Sequence, residues 1–260
     1  MKIHLSAVVL IMVCKTSIWM ASAQNSITPD AIEITTQLTF IKVEEADTSK
    51  FETALSRLAT LAQESELPED FDWLVYESDE KEYLIISFSN GLDDVLKLDD
   101  YQTAFQKRDE KVAFDAILNS LKTCHFIVTK NFLQEMLLPW STVKEIATSK
   151  HPLTTMVEYK VYPNNRDKFD DYTRQLVKLL KETEYPYPLE GNRGAFGAYS
   201  SLFHIWFYDS GMNEGIYENI EKWMTKKGKS NEYESIGKSI AKVVISQKEY
   251  HLVYHPKMSY

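Results

Sequence analysis

Shifted by 118 residues, this sequence meets itself. Ile41-Lys-Val43 falls on Tyr159-Lys-Val161, Lys50-Phe51 on Lys168-Phe169, Leu58 on Leu176 and Leu61 on Leu179. Glu64, Glu66 and Pro68 fall on Glu182, Glu184 and Pro186 in the same register, with no gap. A shift of 120 then carries Phe88 onto Tyr208 and Gly91 onto Gly211, and Lys130-Asn-Phe132 returns as Lys248-Glu-Tyr250. So many ordered matches point to a duplication, and a duplication dictates that both halves take one fold.

Each half reads β-α-β-β-α-β. Gln37 to Glu44 and Thr155 to Tyr162 alternate as strands. Asp47-Thr48-Ser49 offers N-cap residues to a helix with Phe51, Leu55, Leu58, Leu61 and Ala62 along one stripe; its counterpart carries Phe169, Tyr172, Leu176, Leu179 and Leu180. Pro68 and Pro186 stop these helices. The alternation predicts a hairpin from Phe71 to Ser89 in one half, and from Gly194 to Asp209 in the other. Helical stretches follow, the second broken near Gly228, and final strands run about Phe126 to Phe132 and Val243 to Val253.

A unit of this order covers one face of its sheet with helices and leaves the other needing a partner. Two units in one chain supply it, so the expected fold class is α+β: two ferredoxin-like βαββαβ repeats fused as a pseudo-dimeric α/β barrel. The expected organisation is a signal peptide over 1–23, repeats over 35–137 and 155–256, and a linker over 138–154, where two prolines and polar residues gather. The element order, the duplication and the strand His204-x-Trp206-x-Tyr208 resemble the dimeric α/β-barrel superfamily, in particular its NIPSNAP-like and antibiotic-biosynthesis-monooxygenase-like members. That resemblance implies a small-molecule site inside the barrel. It also implies a cofactor-independent monooxygenase or haem-handling activity as one possible outcome.

The signal-peptide reading rests on Lys2, the apolar run Leu5 to Cys14 and the small residues Ala21-Ser22-Ala23. Lys15 cuts the run too short for a bilayer span, so the chain is expected to be secreted or periplasmic, with no membrane insertion after cleavage. Losing Lys2 and Lys15 leaves 27 basic against 38 acidic side chains, a net charge of −11. A chain this acidic repels nucleic acid and anionic lipid. Only Cys124 survives cleavage, which excludes an intramolecular disulfide, so the fold rests on its core; 44% hydrophobic residues are enough to build one.

Strand periodicity assigns the faces. Val157, Tyr159, Val161, Phe203, Ile205 and Phe207 suit the helix layer. That leaves Met156, Glu158, Lys160, Tyr162, His204, Trp206 and Tyr208 on the opposite face. The same rule puts Leu38, Phe40, Lys42, Leu84, Ile86 and Phe88 on that face in the first half. A mostly apolar wall with a few convergent polar groups is how small-molecule pockets are built. The candidate ligand-binding residues are therefore Glu158, Lys160, Trp206 and Tyr208. The turn-rich stretch Tyr185 to Gly194, read as a rim, adds Arg193 or Tyr187. His204 is the candidate catalytic base, or axial haem ligand, because imidazole titrates near neutrality; in its bland reading it is a core histidine satisfied by a neighbour.

Two functions remain open: a monomeric pseudo-dimer binding a small apolar or aromatic molecule, or an enzyme acting through His204. In a third, bland reading the interior is filled with side chains and the surface recognises another protein. The identity of any cofactor is unknown from the sequence. No phosphate loop, Cys-x-x-Cys or His-Glu-x-x-His occurs, and His251 and His255 lack a third ligand, so no metal site is expected. Cys124 and His125 are adjacent on a strand and point to opposite faces, which excludes a cooperating nucleophile pair.

Overall fold

The computed structural model describes residues 35–67, 72–89, 105, 110–137, 140–142, 152–194, 201–209 and 216–260. The expected signal peptide, Pro68, Gly91, Gly211 and most of the expected linker lie outside the described residues. The chain forms two compact units. Among the described residues, the first comprises those from 35 to 133 with His255–Tyr260, and the second those of Gln134–Tyr254.

In the first unit, β1 (Thr35–Val43), β2 (Trp73–Ser78), β3 (Glu82–Ser89) and the start of β4 (Phe126–Met136) form a sheet in the order β4-β1-β3-β2. β1 and β3 pair antiparallel, with Leu38 opposite Ile86 and Phe40 opposite Leu84. Helices α1 (Thr48–Glu64) and α2 (Lys111–Lys122) cover one face. Phe51, Leu55, Leu58, Phe114, Ile117 and Leu121 are buried there against Ile41, Val75, Tyr83 and Ile85. Each such side chain contributes roughly 1.5–3 kcal/mol by leaving water. Asp47 sits at the start of α1 without capping it; its carboxylate instead accepts the backbone N–H of His125 at 2.7 Å.

The second unit repeats the permutation. β5 (Leu153–Val161), β6 (Leu189–Gly194), β7 (Leu202–Asp209) and β8 (Val244–Tyr254) lie in the order β8-β5-β7-β6, and Gln134–Met136 of β4 add beside β6. Helices α3 (Arg166–Glu182), α4 (Ile216–Lys226) and α5 (Ser230–Ala241) follow. Gly228, at φ 69°, makes the break between α4 and α5 where the sequence places it. Phe169, Leu176, Leu180, Ile220 and Met224 pack on Val157, Tyr159, Phe203 and Ile205.

Matching elements recur at the shifts read from sequence. α1 and α3 begin and end 118 residues apart, as do β1 and β5, and β4 and β8; β3 and β7 are 120 apart. Both long helices end in the same left-handed turn. Glu66 (φ 48°) and Glu184 (φ 55°) follow Ser65 and Thr183, and Leu67 and Tyr185 return their N–H groups to Ala62 and Leu180. The turn therefore ends the helix before either proline is reached.

β6 departs from expectation. The stretch Leu189–Gly194, read as rim, is a strand with the same alternation of burial as β2. Two glycines and an asparagine give it little intrinsic strand preference. Tertiary packing overrides that: a Cβ on Gly191 would stand 2.4 Å from the Cβ of Trp140, so only glycine lets that fully buried indole lie on the strand.

Each unit is finished by a strap on its second strand. In the second unit, Leu137 donates to the Gly191 carbonyl and Thr142 to that of Leu189. In the first unit, His255 donates to the Val75 carbonyl and Tyr260 to that of Trp73, 118 residues further along the chain. The segment after β4 thus serves the second unit, and the segment after β8 serves the first.

Candidate functional site

The register of the second sheet turns its helix-free face into rows of side chains. One row runs Lys248 (β8), Glu158 (β5), His204 (β7), Asn192 (β6) and Met136 (β4). The next runs Tyr250, Met156, Trp206 and Glu190, and a third holds Leu252, Thr154 and Tyr208. Alternation on β5 and β7 falls as the sequence predicts: Val157, Tyr159, Phe203, Ile205 and Phe207 lie in the helix-side core, leaving His204, Trp206 and Tyr208 on the other face. All three are buried, with His204 and Asn192 wholly so.

Two polar clusters form on this face. His204 Nε2 lies 3.4 Å from a Glu158 carboxylate oxygen. Glu190 accepts from Asn192 Nδ2 at 2.8 Å and from the Tyr208 hydroxyl at 3.3 Å. Burial pushes the Glu190 carboxyl above its ordinary value, and those two hydrogen bonds offset only part of the rise. The rings of Trp206 and Tyr208 run nearly parallel, their centroids 6.5 Å apart and planes 18° from each other. Lys248 Nζ stands 4.5 Å from the centre of the Tyr250 ring. Among the described residues, the buried oxygens Asn192 Oδ1, Gln134 Oε1 and Thr154 Oγ1 find no hydrogen-bond donor. Buried acceptors of this kind are ordinarily satisfied by protein or by water.

The expected residues divide into those that converge and those that do not. Glu158, His204, Trp206 and Tyr208 share the buried face. Lys160 is exposed at its rim, beside the irregularity between Lys160 and Val161. Tyr162 is exposed too. Arg193 pairs with Phe203 in register, so it lies on the opposite face from His204, and its guanidinium donates to Glu135 at 2.8 Å. Glu190 and Asn192 are the residues that sequence reasoning missed. Their signal was hidden because β6 shares no residue with β2 under the repeat and lacks strand composition.

Haem ligation does not fit this histidine. The Nε2 atom that would face the iron is the one set against Glu158, inside a row of packed side chains with no exposed surface on the ring.

Elsewhere, Glu44, Asp47 and His125 bring ligand atoms within 4.8 Å of one another. Glu44 and His125 edge a cleft of about 1220 Å³ in the first unit that also includes Glu52, Glu77, Lys81 and Tyr83. Asp47 is committed to both the backbone and the ring of His125, whose hydrogen bonds hold its carboxyl below the usual range. The His125 side chain is 75% exposed, so the trio reads as a solvated ion pair closing the strand end. Cys124 is a buried thiol donating to the Ser120 carbonyl, and burial raises its pKa.

No protein-family model and no curated relative matches the sequence. Solved structures do match its fold. A protein of Fusobacterium nucleatum described as a "putative monooxygenase" aligns with a TM-score of 0.54 at 10% identity, covering 86% of this chain and 93% of its own. One of the same description from Lactobacillus acidophilus gives 0.51 at 11%, covering 85% and 94%. An anthrone oxidase-like protein gives 0.50 at 12%, covering 86% and 92%. The chain thus shares the α+β fold of these proteins. Among the described residues, no helix is long and apolar enough to cross a membrane.

Proposed function

We propose that this chain is an exported binder of a small aromatic molecule, held on the helix-free face of the second unit against Trp206 and Tyr208. One observation carries the reading: an aromatic wall and two carboxylate clusters share that buried face with acceptor oxygens that find no donor among the described residues. A wall of rings supplies apolar area, and convergent polar groups fix orientation. The matching element offsets and the reciprocal straps support a duplicated, ferredoxin-like pair fused in one chain and acting as a monomeric pseudo-dimer. Export to the periplasm or the exterior rests on the sequence of residues 1–23.

A second reading, a cofactor-independent monooxygenase, is favoured by the His204–Glu158 contact together with the monooxygenase-described structures of the same fold. In it, His204 accepts the proton of an acidic phenol or methylene, Glu158 steadies the imidazolium, and the substrate anion is oxidised by dioxygen, one oxygen atom entering the substrate and the other leaving as water. The complete burial of His204 favours binding over turnover. Calorimetric titration with aromatic probes, on the mature chain and on Trp206→Ala, tests the site. Saturable binding lost in the variant supports it; binding unchanged by the variant places the ligand elsewhere. Oxygen uptake on adding an anthrone or a polyphenol, abolished by His204→Leu, would decide for the enzyme.

A further inference from the structure

Charge on the helix-free face is unevenly settled. Glu158 has His204 beside it and Lys248 as its register partner on β8. Glu190 has Asn192 and Tyr208, both neutral donors, and among the described residues no cation stands against it. A carboxylate removed from water without a counter-charge is costly, and two neutral hydrogen bonds do not cancel that cost. Directly across the strand pair from Glu190 stands Trp206, with Tyr208 next along the same strand and nearly parallel to it. Asn192 is oriented by its amide nitrogen on Glu190, which leaves its buried Oδ1 turned away and unsatisfied; Gln134 Oε1 and Thr154 Oγ1 are in the same condition on the same face. Among the described residues, three buried acceptors of the face therefore lack donors, and Glu190 lacks a counter-charge.

We propose that this face takes an aromatic amine, its ammonium group set against Glu190 and its ring lying along Trp206 and Tyr208. The proposal rests on the reading of the face as a ligand site and names the class of ligand. An ammonium supplies the missing charge and several N–H donors at once. The faces of Trp206 and Tyr208 favour a cation over a neutral group. The formal net charge of −9 draws cations and repels the carboxylic acids of the same ring systems.

The test titrates the mature chain, by calorimetry, with tryptamine and tyramine and with their uncharged analogues tryptophol and tyrosol. The amines are expected to bind at least tenfold more tightly than the alcohols. Glu190→Gln is expected to erase that preference by weakening the amines, with a melting temperature no lower than the parent's; Trp206→Ala is expected to weaken both classes. Alcohols binding as tightly as amines, or a preference that survives Glu190→Gln, would overturn the amine assignment and leave the site standing. No binding by any of the four would overturn the site and the proposal together.

Discussion

At four positions of the helix-free face, the first unit carries hydrocarbon side chains where the second carries polar-tipped ones. Leu84 stands where the second unit has His204, Phe40 where it has Glu158, Ile86 for Trp206 and Leu74 for Glu190. Leu38, Phe40 and Leu84 have no exposed surface, so the first sheet closes this face by the ordinary gain of burying hydrocarbon. The second sheet buries an imidazole and an amide and half-buries two carboxylates in the same strand order. A scaffold that works with leucine at these positions has no structural need for histidine and glutamate. The polar set is an addition to the fold, and its stability cost points to use.

The straps show the opposite relation, in which the units agree and only their side chains differ. Trp73 in the first unit exchanges both backbone hydrogen bonds with Tyr260, donates its indole N–H to the Met258 carbonyl at 2.7 Å and packs on the Tyr260 ring. Deleting His255–Tyr260 strips all of these from a fully buried tryptophan. With each hydrogen bond worth about 1 kcal/mol and the indole laid open, the loss is about 4 kcal/mol or more. Urea unfolding of the truncated chain should show a separate early transition or no cooperative fold. A fragment of residues 24–140 lacks the same strap and is expected to aggregate. A soluble, cooperatively folding monomer of that fragment would make the units ordinary separate domains.

Gly191 and Trp140 occupy the places that Val75 and Met258 hold in the first unit. Gly191→Val copies the first unit's strand residue and drives a side chain into the indole, so it should cost about 3 kcal/mol. Trp140→Met added to it copies the first unit's pair and should recover a good part of that loss. Additive costs in the double-mutant cycle would mean that the two straps do not pack alike.

What the sequence revealed and what it hid follow the same division. Faces on β5 and β7 were legible because alternation has a period of two, and Val157, Ile205 and Phe207 are large enough to declare the core side. The helix ends were legible as positions, though the prolines did not make them; the left-handed turns at Glu66 and Glu184 did, on non-glycine residues with no composition signal. β6 was illegible for a packing reason. Its residue types suit a loop, and the indole of Trp140 that makes Gly191 a strand residue comes from another part of the chain. With β6 unread, Glu190 and Asn192 went unread too, and Arg193 was placed among ligand residues when its partner is Glu135.

Exchanging one residue between the units measures the cost of the polar face directly. Leu84→His puts an imidazole among Phe40, Tyr76 and Leu38 without a carboxylate neighbour on β1 and should cost about 2–3 kcal/mol. His204→Leu should leave the fold within about 1 kcal/mol of the parent or stabilise it, while abolishing binding or turnover. If His204→Leu unfolded the protein instead, the histidine would be structural.

The smallest effect concerns pH, and Glu190 decides it. Its carboxyl titrates above the ordinary value of 4.5 in the folded chain because burial disfavours the anion. Between that ordinary value and the raised one, the folded state holds a proton that the unfolded state has released, so stability falls as pH rises through the window. Below the window the two states are alike and nothing is lost; above it the full penalty is present. Glu190→Gln keeps the shape and carries no charge, so its melting temperature should exceed the parent's at neutral pH and converge with it toward pH 4. Leu74, the matching residue of the first unit, has no such term, so no substitution there should alter the slope. A bound aromatic amine should cancel the parent's decline, because the ammonium stabilises the ionised carboxylate that burial penalises. A constant offset between parent and Glu190→Gln at every pH would mean that hydrogen bonding to Asn192 and Tyr208, and not burial, governs this carboxyl.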